Sequence, residues 1–197
     1  MEKWQSKYRI PPARAEWWDY ANDGAYFITI CTDNRQHFFG ECKYHKMQLS
    51  TVGAIVQGFW YEIPKHFPFV ELGAFVVMPN HVHGVLILDN TPCNTERHVE
   101  IGQCPISTAP EFVPISQTHA QKRFRNQGKN TVSSIVGSFK SVCTKHINLA
   151  YPDMAFGWQK LFWDNIIKDD EAFENITNYI INNPSNWEMD KFYLQQS

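Results

Sequence analysis

His81 and His83 are the residues of this chain whose type and spacing point most directly to chemistry. They open the second of two apolar runs in the stretch Ala74-Phe75-Val76-Val77-Met78-Pro79-Asn80-His81-Val82-His83-Gly84-Val85-Leu86-Ile87-Leu88. A Pro-Asn pair separates the runs, so the stretch reads as two strands joined by a tight turn. Strand side chains alternate faces, so residues two apart point the same way. Two imidazoles side by side on a rigid strand make a ready pair of metal ligands. The pattern also suits a hairpin whose histidines are merely packed and hydrogen-bonded, and a bare His-x-His does not separate the two.

The strand that carries them needs a core around it. His81, His83, Val85 and Ile87 share one face, and Val82, Gly84, Leu86 and Leu88 share the other. Both faces are largely apolar, which predicts a central strand covered on both sides. The histidines then sit at one end of a face that another element must roof over. With 197 residues the chain can form one domain with a sizeable core. Its 43% hydrophobic and 15% aromatic content argues for a globular protein and against disorder. The five cysteines, Cys31, Cys42, Cys93, Cys104 and Cys143, include no C-x-x-C pair. That odd number fits a reducing compartment, with neither a disulfide framework nor a zinc knuckle. The first residues lack the apolar centre of a signal peptide, and no apolar run approaches membrane-spanning length. A soluble, cytoplasmic protein with no membrane partner is expected, nucleoid-associated if prokaryotic.

The net charge of −2 does not announce nucleic-acid binding, but its distribution is uneven. No acidic residue lies between Glu111 and Asp153, whereas Lys122, Arg123, Arg125, Lys129, Lys140 and Lys145 do. Such a patch can bind phosphate, and it can equally be a solvated loop and helix face. Residues 1–24 mix Lys3, Lys7, Arg9 and Arg14 with Trp4, Tyr8, Trp17, Trp18 and Tyr20. They read either as a nucleic-acid contact or as an arm pinned to the core by its tryptophans.

The remaining elements follow from pattern. Ala25–Cys31 after Asp23-Gly24 reads as a central strand. Asp33-Asn34-Arg35 starts a loop, and Phe38-Phe39-Gly40 closes a short irregular piece. Val52, Ile55, Val56, Phe59 and Ile63 fall at helical spacing, with Ser50 or Thr51 as N-cap and Pro64 as terminator. Residues 90–130 carry little periodicity and many Pro, Thr, Ser and Gln residues, and read as an irregular insertion. Val132, Ile135, Val136, Phe139, Val142 and Cys143 mark a second helix, with Lys140 and Lys145 toward its exposed side. Gly157–Asp164 reads as a short strand leading into a turn. Asp169 or Asp170 caps a last helix carrying Phe173, Ile176 and Ile180, which ends at Asn183-Pro184. Trp187 anchors the tail. The order strand, helix, strand, strand, helix, strand, helix resembles a split βαβ-βαβ ferredoxin-like (RRM-like) arrangement. It predicts an α+β domain over 1–197, an antiparallel sheet with helices on its faces and an extra C-terminal helix.

On that last helix Tyr179 and Asn183 are four residues apart and share a face. Each has an ordinary use there, Tyr179 as packing at the edge of an apolar stripe and Asn183 as a C-cap. Taken together, however, three ordered stretches resemble a known family. Met78-Pro79-Asn80-His81-Val82-His83 is similar to the His-hydrophobic-His motif of the HUH endonucleases, and more closely to that of their single-tyrosine transposases of the REP-associated type. Trp158-Gln159 with Phe162-Trp163-Asp164-Asn165-Ile166-Ile167-Lys168 is similar to the second signature of that family. Asn165 stands where the family often has His, and Lys168 where it often has Arg. Asn178-Tyr179-Ile180-Ile181-Asn182-Asn183-Pro184 resembles its tyrosine helix. The resemblance runs from about Tyr26 to Trp187 and leaves the insertion uncovered.

This resemblance implies a metal-dependent single-stranded DNA endonuclease and strand transferase acting at hairpin-flanked sites. His81, His83 and Asn183 are then the ligands of Mg²⁺ or Mn²⁺. Tyr179 is the nucleophile that forms a 5′-phosphotyrosine. The hairpin contacts on this chain are assigned from charge alone to Lys122, Arg123, Arg125, Lys129, Lys140 and Lys145. A monomer is expected over a homodimer. The alternative is a domesticated protein that holds hairpin DNA and transposes nothing, and an unrelated metal-dependent hydrolase ranks below both. The family reading carries a geometric demand: the last helix must cross the histidine face.

Overall fold

A computed structural model describes residues 22–90 and 130–193. The basic-aromatic stretch before residue 22 and the insertion over 91–129 lie outside the described residues, and with them Lys122, Arg123, Arg125 and Lys129.

Alternating apolar residues build a four-stranded antiparallel sheet. Its strands are β1 (Gly24–Cys31), β4 (Val70–Met78), β5 (His81–Leu88) and β6 (Trp163–Ile167), in the order β4-β5-β1-β6. Strands β5 and β1 are the inner pair. Their register sets Thr29 opposite His83 and Cys31 opposite His81. Two helices cover one face: α1 (Thr51–Tyr61) between β1 and β4, and α3 (Val132–Ala150) between β5 and β6. A single turn, α2 (Ile63–His66), follows α1. A last helix, α4 (Asp170–Asn182), covers the other face. This is the ferredoxin-like α+β architecture that the order of patterns predicts.

The two faces of β5 do different work. Val82, Leu86 and Leu88 pack with Tyr26, Ile28, Val56, Trp60, Ile135 and Phe139 in the main core under α1 and α3. Val85 and Ile87 pack with Phe27, Phe173, Ile176 and Ile180 under α4. Both helices on the first face have specified starts. Ser50 Oγ accepts from Gly53 N at 3.1 Å at the head of α1. Thr131 and Ser134 form a reciprocal capping box at the head of α3. Asp169 caps α4 by accepting from Ala172 N at 2.8 Å, and Asp170 and Glu171 in its first turn suit the helix dipole.

Residues 40–49, to which the pattern assigns no element, form a hairpin, β2 (Gly40–Lys43) and β3 (Lys46–Leu49). Two local expectations are corrected. Pro64 does not terminate α1. The helix stops at Tyr61, and Pro64 opens the next turn, where its missing N–H costs nothing. Trp158 makes only an isolated bridge to Thr32, and the strand proper begins five residues later at Trp163.

Gly84 is where β5 and α1 meet most closely. A Cβ built there would lie 2.3 Å from Cζ2 of Trp60. The indole cannot yield easily, because it is fully buried and stacked on Phe75 with centroids 4.5 Å apart. Gly84→Ala is therefore expected to destabilise the protein by about 1–3 kcal/mol, the usual range for overpacking. Urea midpoints of the two proteins measure it.

Candidate active site

His81 and His83 are both fully buried, and their Nε2 atoms are 3.0 Å apart. The strand pleat brings them to one face, and neighbouring groups fix their rings. Asn80 Nδ2 donates to the backbone oxygen of Phe192 at 2.9 Å, so its Oδ1 is the atom that faces His81 Nδ1, at 2.8 Å. An amide oxygen only accepts, so the proton of neutral His81 is on Nδ1 and its Nε2 carries a bare lone pair. The turn that holds Asn80 is itself braced, since Thr32 donates to Asn80 O from its backbone N (2.9 Å) and from Oγ1 (3.0 Å). Thr29 Oγ1 lies 2.8 Å from His83 Nδ1. A hydroxyl donates or accepts, so Thr29 supports either tautomer of His83.

The last helix crosses this face within the same chain. Tyr179 Oη lies 3.3 Å from His83 Nε2, and the phenol ring meets both Phe27 and His83 edge-on. Tyr179 is still 43% exposed, so its hydroxyl has burial on one side and access on the other. One turn on, Asn183 is buried. It is the C-cap of α4, and the chain continues beyond it as a 3₁₀ segment over Asn183–Met189 rather than stopping. Its Nδ2 donates to Asp190 Oδ2 at 3.0 Å. Its Oδ1 is buried and accepts no hydrogen bond among the described residues.

The segment after α4 closes the site. Trp187 is buried, as expected of the tail anchor, and the Phe192 ring packs 4.6 Å from that of His81. Asp190 Oδ1 accepts from Phe192 N at 2.7 Å, which turns Oδ2 toward Asn183 and the Tyr179 hydroxyl, the latter at 3.4 Å. Lys191 Nζ and the Arg35 guanidinium lie 4.9 and 5.1 Å from the Phe192 centroid.

Electrostatics follow from this burial. His81 is pushed down to about 3, first by desolvation and then by the positive charges of Lys191, Arg35 and His37. His83 is held well below the ordinary histidine value, again chiefly by burial. Both rings are thus neutral at physiological pH, the form that binds metals. The Tyr179 phenol is pushed up to about 12 by burial and then by the Asp190 charge, so it is protonated. The nitrogen pair also fits an ion. Two nitrogens about 2.1 Å from one centre and at right angles lie about 3.0 Å apart, which is the separation seen. The unpartnered Asn183 Oδ1 is the sort of hard oxygen that completes such a set.

Comparison with known proteins bears on the family and the fold. No family model matches the chain. A Haemophilus influenzae protein, itself uncharacterised, is 32% identical over 184 residues, which is 92% of this chain and 91% of that one. The two proteins belong to one family. The solved structure of a REP-associated tyrosine transposase bound to a REP hairpin matches with a TM-score of 0.51, covering 90% of this chain and 77% of that one at 20% identity. The chain has the REP-associated tyrosine transposase fold.

Within this transposase fold the residues read from sequence separate into two groups. His81, His83, Tyr179 and Asn183 come together in one cluster. Lys140 and Lys145 sit on α3, on the opposite side of the sheet. Lys140 Nζ already donates to the backbone oxygens of Gln159 (2.7 Å) and Lys160 (3.3 Å), whereas Lys145 is exposed. Thr29, Asn80, Asp190 and Phe192 are site residues that sequence reading missed. Asn80 carried a signal, a side-chain amide in the turn next to a histidine, but nothing local marked Asp190.

Asn80→Ala is expected to cost about 1–3 kcal/mol, because it strands a buried His81 Nδ1–H and a buried carbonyl together. Urea unfolding of metal-free protein measures the loss. Asn80→Asp removes the donor to Phe192 O but keeps the acceptor to His81, so it is expected to keep the His81 tautomer.

Proposed function

We propose that this chain is a metal-dependent single-stranded DNA endonuclease and strand transferase, a transposase that uses Tyr179 as its nucleophile at hairpin-flanked sites. The observation that carries this reading is the Tyr179 hydroxyl set 3.3 Å from a histidine whose ring nitrogen faces that of a second histidine at 3.0 Å. Packing alone gives no reason for three polar tips to converge on one partly open point. The relative of this fold that was solved with a REP hairpin supports hairpin DNA as the ligand class.

In this reading His81, His83 and Asn183 hold the ion, Mg²⁺ or Mn²⁺, which when bound polarises a phosphate and offsets developing charge. The chain's own groups do the rest. Tyr179 Oη bonds to phosphorus as the bond to the 3′-oxygen of the preceding nucleotide breaks. That nucleotide leaves with a free 3′-hydroxyl, and the DNA is joined to the protein through a 5′-phosphotyrosine. Asp190 Oδ2, 3.4 Å from Tyr179 Oη, is within reach of the phenol proton, whereas the His83 Nε2 lone pair would be taken up in holding the ion. Attack by another 3′-hydroxyl returns the phenol and joins the strands without ATP. Lys122, Arg123, Arg125, Lys129 and the exposed Lys145 remain the charge-based assignment for hairpin phosphates, with Lys140 the weakest of the six because its ammonium is occupied. Phosphate contacts of this kind weaken steeply as salt rises. The histidines and the tyrosine come from one chain, which supports a monomer acting alone.

A labelled hairpin oligonucleotide with single-stranded flanks, incubated with the protein and Mn²⁺, tests the reading on a denaturing gel. A covalent protein–DNA band is expected from the wild type, and none from Tyr179→Phe or from a reaction with chelator. DNA binding with no adduct under any divalent ion would favour a domesticated hairpin-binding protein. Hydrolysis that survives Tyr179→Phe would point to an unrelated hydrolase.

A further inference from the structure

We infer that Asp190 is a ligand of the divalent ion, so that the site binds it through two histidines and a carboxylate, with the Asn183 oxygen beside them. This rests on the metal reading above and changes its ligand set. Among the described residues, His81, His83 and Asp190 form the cluster whose ligand atoms all lie within 4.8 Å of one another. Atoms bound to one ion at about 2.1 Å are at most about 4.2 Å apart, so a small closure of this cluster completes a site.

Asp190 is also held as a ligand is held. One carboxylate oxygen accepts from Phe192 N at 2.7 Å, and the other accepts from Asn183 Nδ2 at 3.0 Å. Each carboxylate oxygen has two acceptor sites, so Oδ1 keeps one for an ion, whereas Oδ2 also accepts the long 3.4 Å bond from the Tyr179 hydroxyl, which an ion would displace. Neighbours of this kind orient metal-binding carboxylates in known sites. Among the described residues no ion pair of Asp190 with Lys or Arg is present, although Lys191 is adjacent in the chain. A carboxylate oxygen instead lies within 4.8 Å of a ring nitrogen of each histidine.

The same arrangement gives Asn183 a double task. Its amide N–H positions Asp190, and its buried oxygen accepts no hydrogen bond among the described residues, which leaves it open to an ion. An anionic oxygen ligand biases the site toward hard ions such as Mn²⁺ and Mg²⁺. Two imidazoles alone would favour softer ones. The carboxylate also offsets one of the ion's two charges, and it approaches from the segment that follows the tyrosine helix.

Equilibrium titration of Mn²⁺, followed by loss of the free-ion EPR signal, tests this without reference to DNA or turnover. It is run on the full chain and on the variants Asp190→Asn, Asp190→His and His83→Ala, with urea midpoints as the check on folding. Asp190→Asn is expected to weaken Mn²⁺ binding by at least about 10-fold, the lower end of the loss when even an outer-shell partner is removed. Asp190→His keeps a ligand but softens it, so it is expected to shift preference from Mn²⁺ toward Zn²⁺ in competition. Weakened Mn²⁺ binding by Asp190→Asn at an unchanged urea midpoint is the result that an aspartate bracing only the fold would not give. If Asp190→Asn binds Mn²⁺ like the wild type while His83→Ala does not, Asp190 is no ligand and the metal reading stands on the histidines and Asn183. If the wild type binds no Mn²⁺, both readings fall.

Discussion

The pleat of one strand governs this molecule. β5 lies between β4 and β1, and its side chains divide strictly between two environments. One set, Val82, Leu86 and Leu88, belongs to the apolar core under α1 and α3. The other begins with two imidazoles and continues as Val85 and Ile87, which seat α4. A slip of one residue in pairing would send the histidines into the core and Val82 into the site. The apolar residues therefore enforce the position of the polar ones. Gly84 tightens the same constraint, since its missing side chain is the space that the Trp60 indole occupies.

Burying two imidazoles is costly unless their polar atoms are met. Here the cost is handled by groups from distant parts of the chain: Thr29 from β1, Asn80 from the turn, and Tyr179 from α4. The tautomers are linked as a result. His81 is fixed by Asn80, so the proton between the facing Nε2 atoms belongs to His83 whenever they are hydrogen-bonded to each other. A ligand that needs both nitrogens requires the His83 proton to move to Nδ1, and the Thr29 hydroxyl can turn to accept it. Neutral histidines make that exchange without a net change of charge.

Much of this was legible in the chain because it is periodic. The alternation over 81–88 placed both histidines on one face, and the stripes of α1, α3 and α4 marked the helices that pack there. The spacing of Tyr179 and Asn183 put them on a common helix face. Other parts left no local signature. The β2–β3 hairpin has two four-residue strands, too short for their alternation to stand out. Its turn places Tyr44 and His45 at positive φ, where Gly or Asn would have advertised it. Asp190 was invisible for a different reason. It reaches the histidines only because the 3₁₀ segment after Asn183 turns the chain back over them, and no pattern in 184–193 specifies that return. The helix-ending sense of Asn183-Pro184 was half right, since α4 does stop there but the helical path continues in a tighter form.

Every group in the cluster comes from one polypeptide: the histidines from β5, the phenol and amide from the end of α4, the carboxylate from the segment beyond. Within this chain the tyrosine reaches its histidines by folding back across its own sheet rather than across an interface. A cluster built in this way is closed by the folding of its own chain, so the turn after Asn183 that returns Asp190 to the histidines is also what joins the last helix to the turn between β4 and β5.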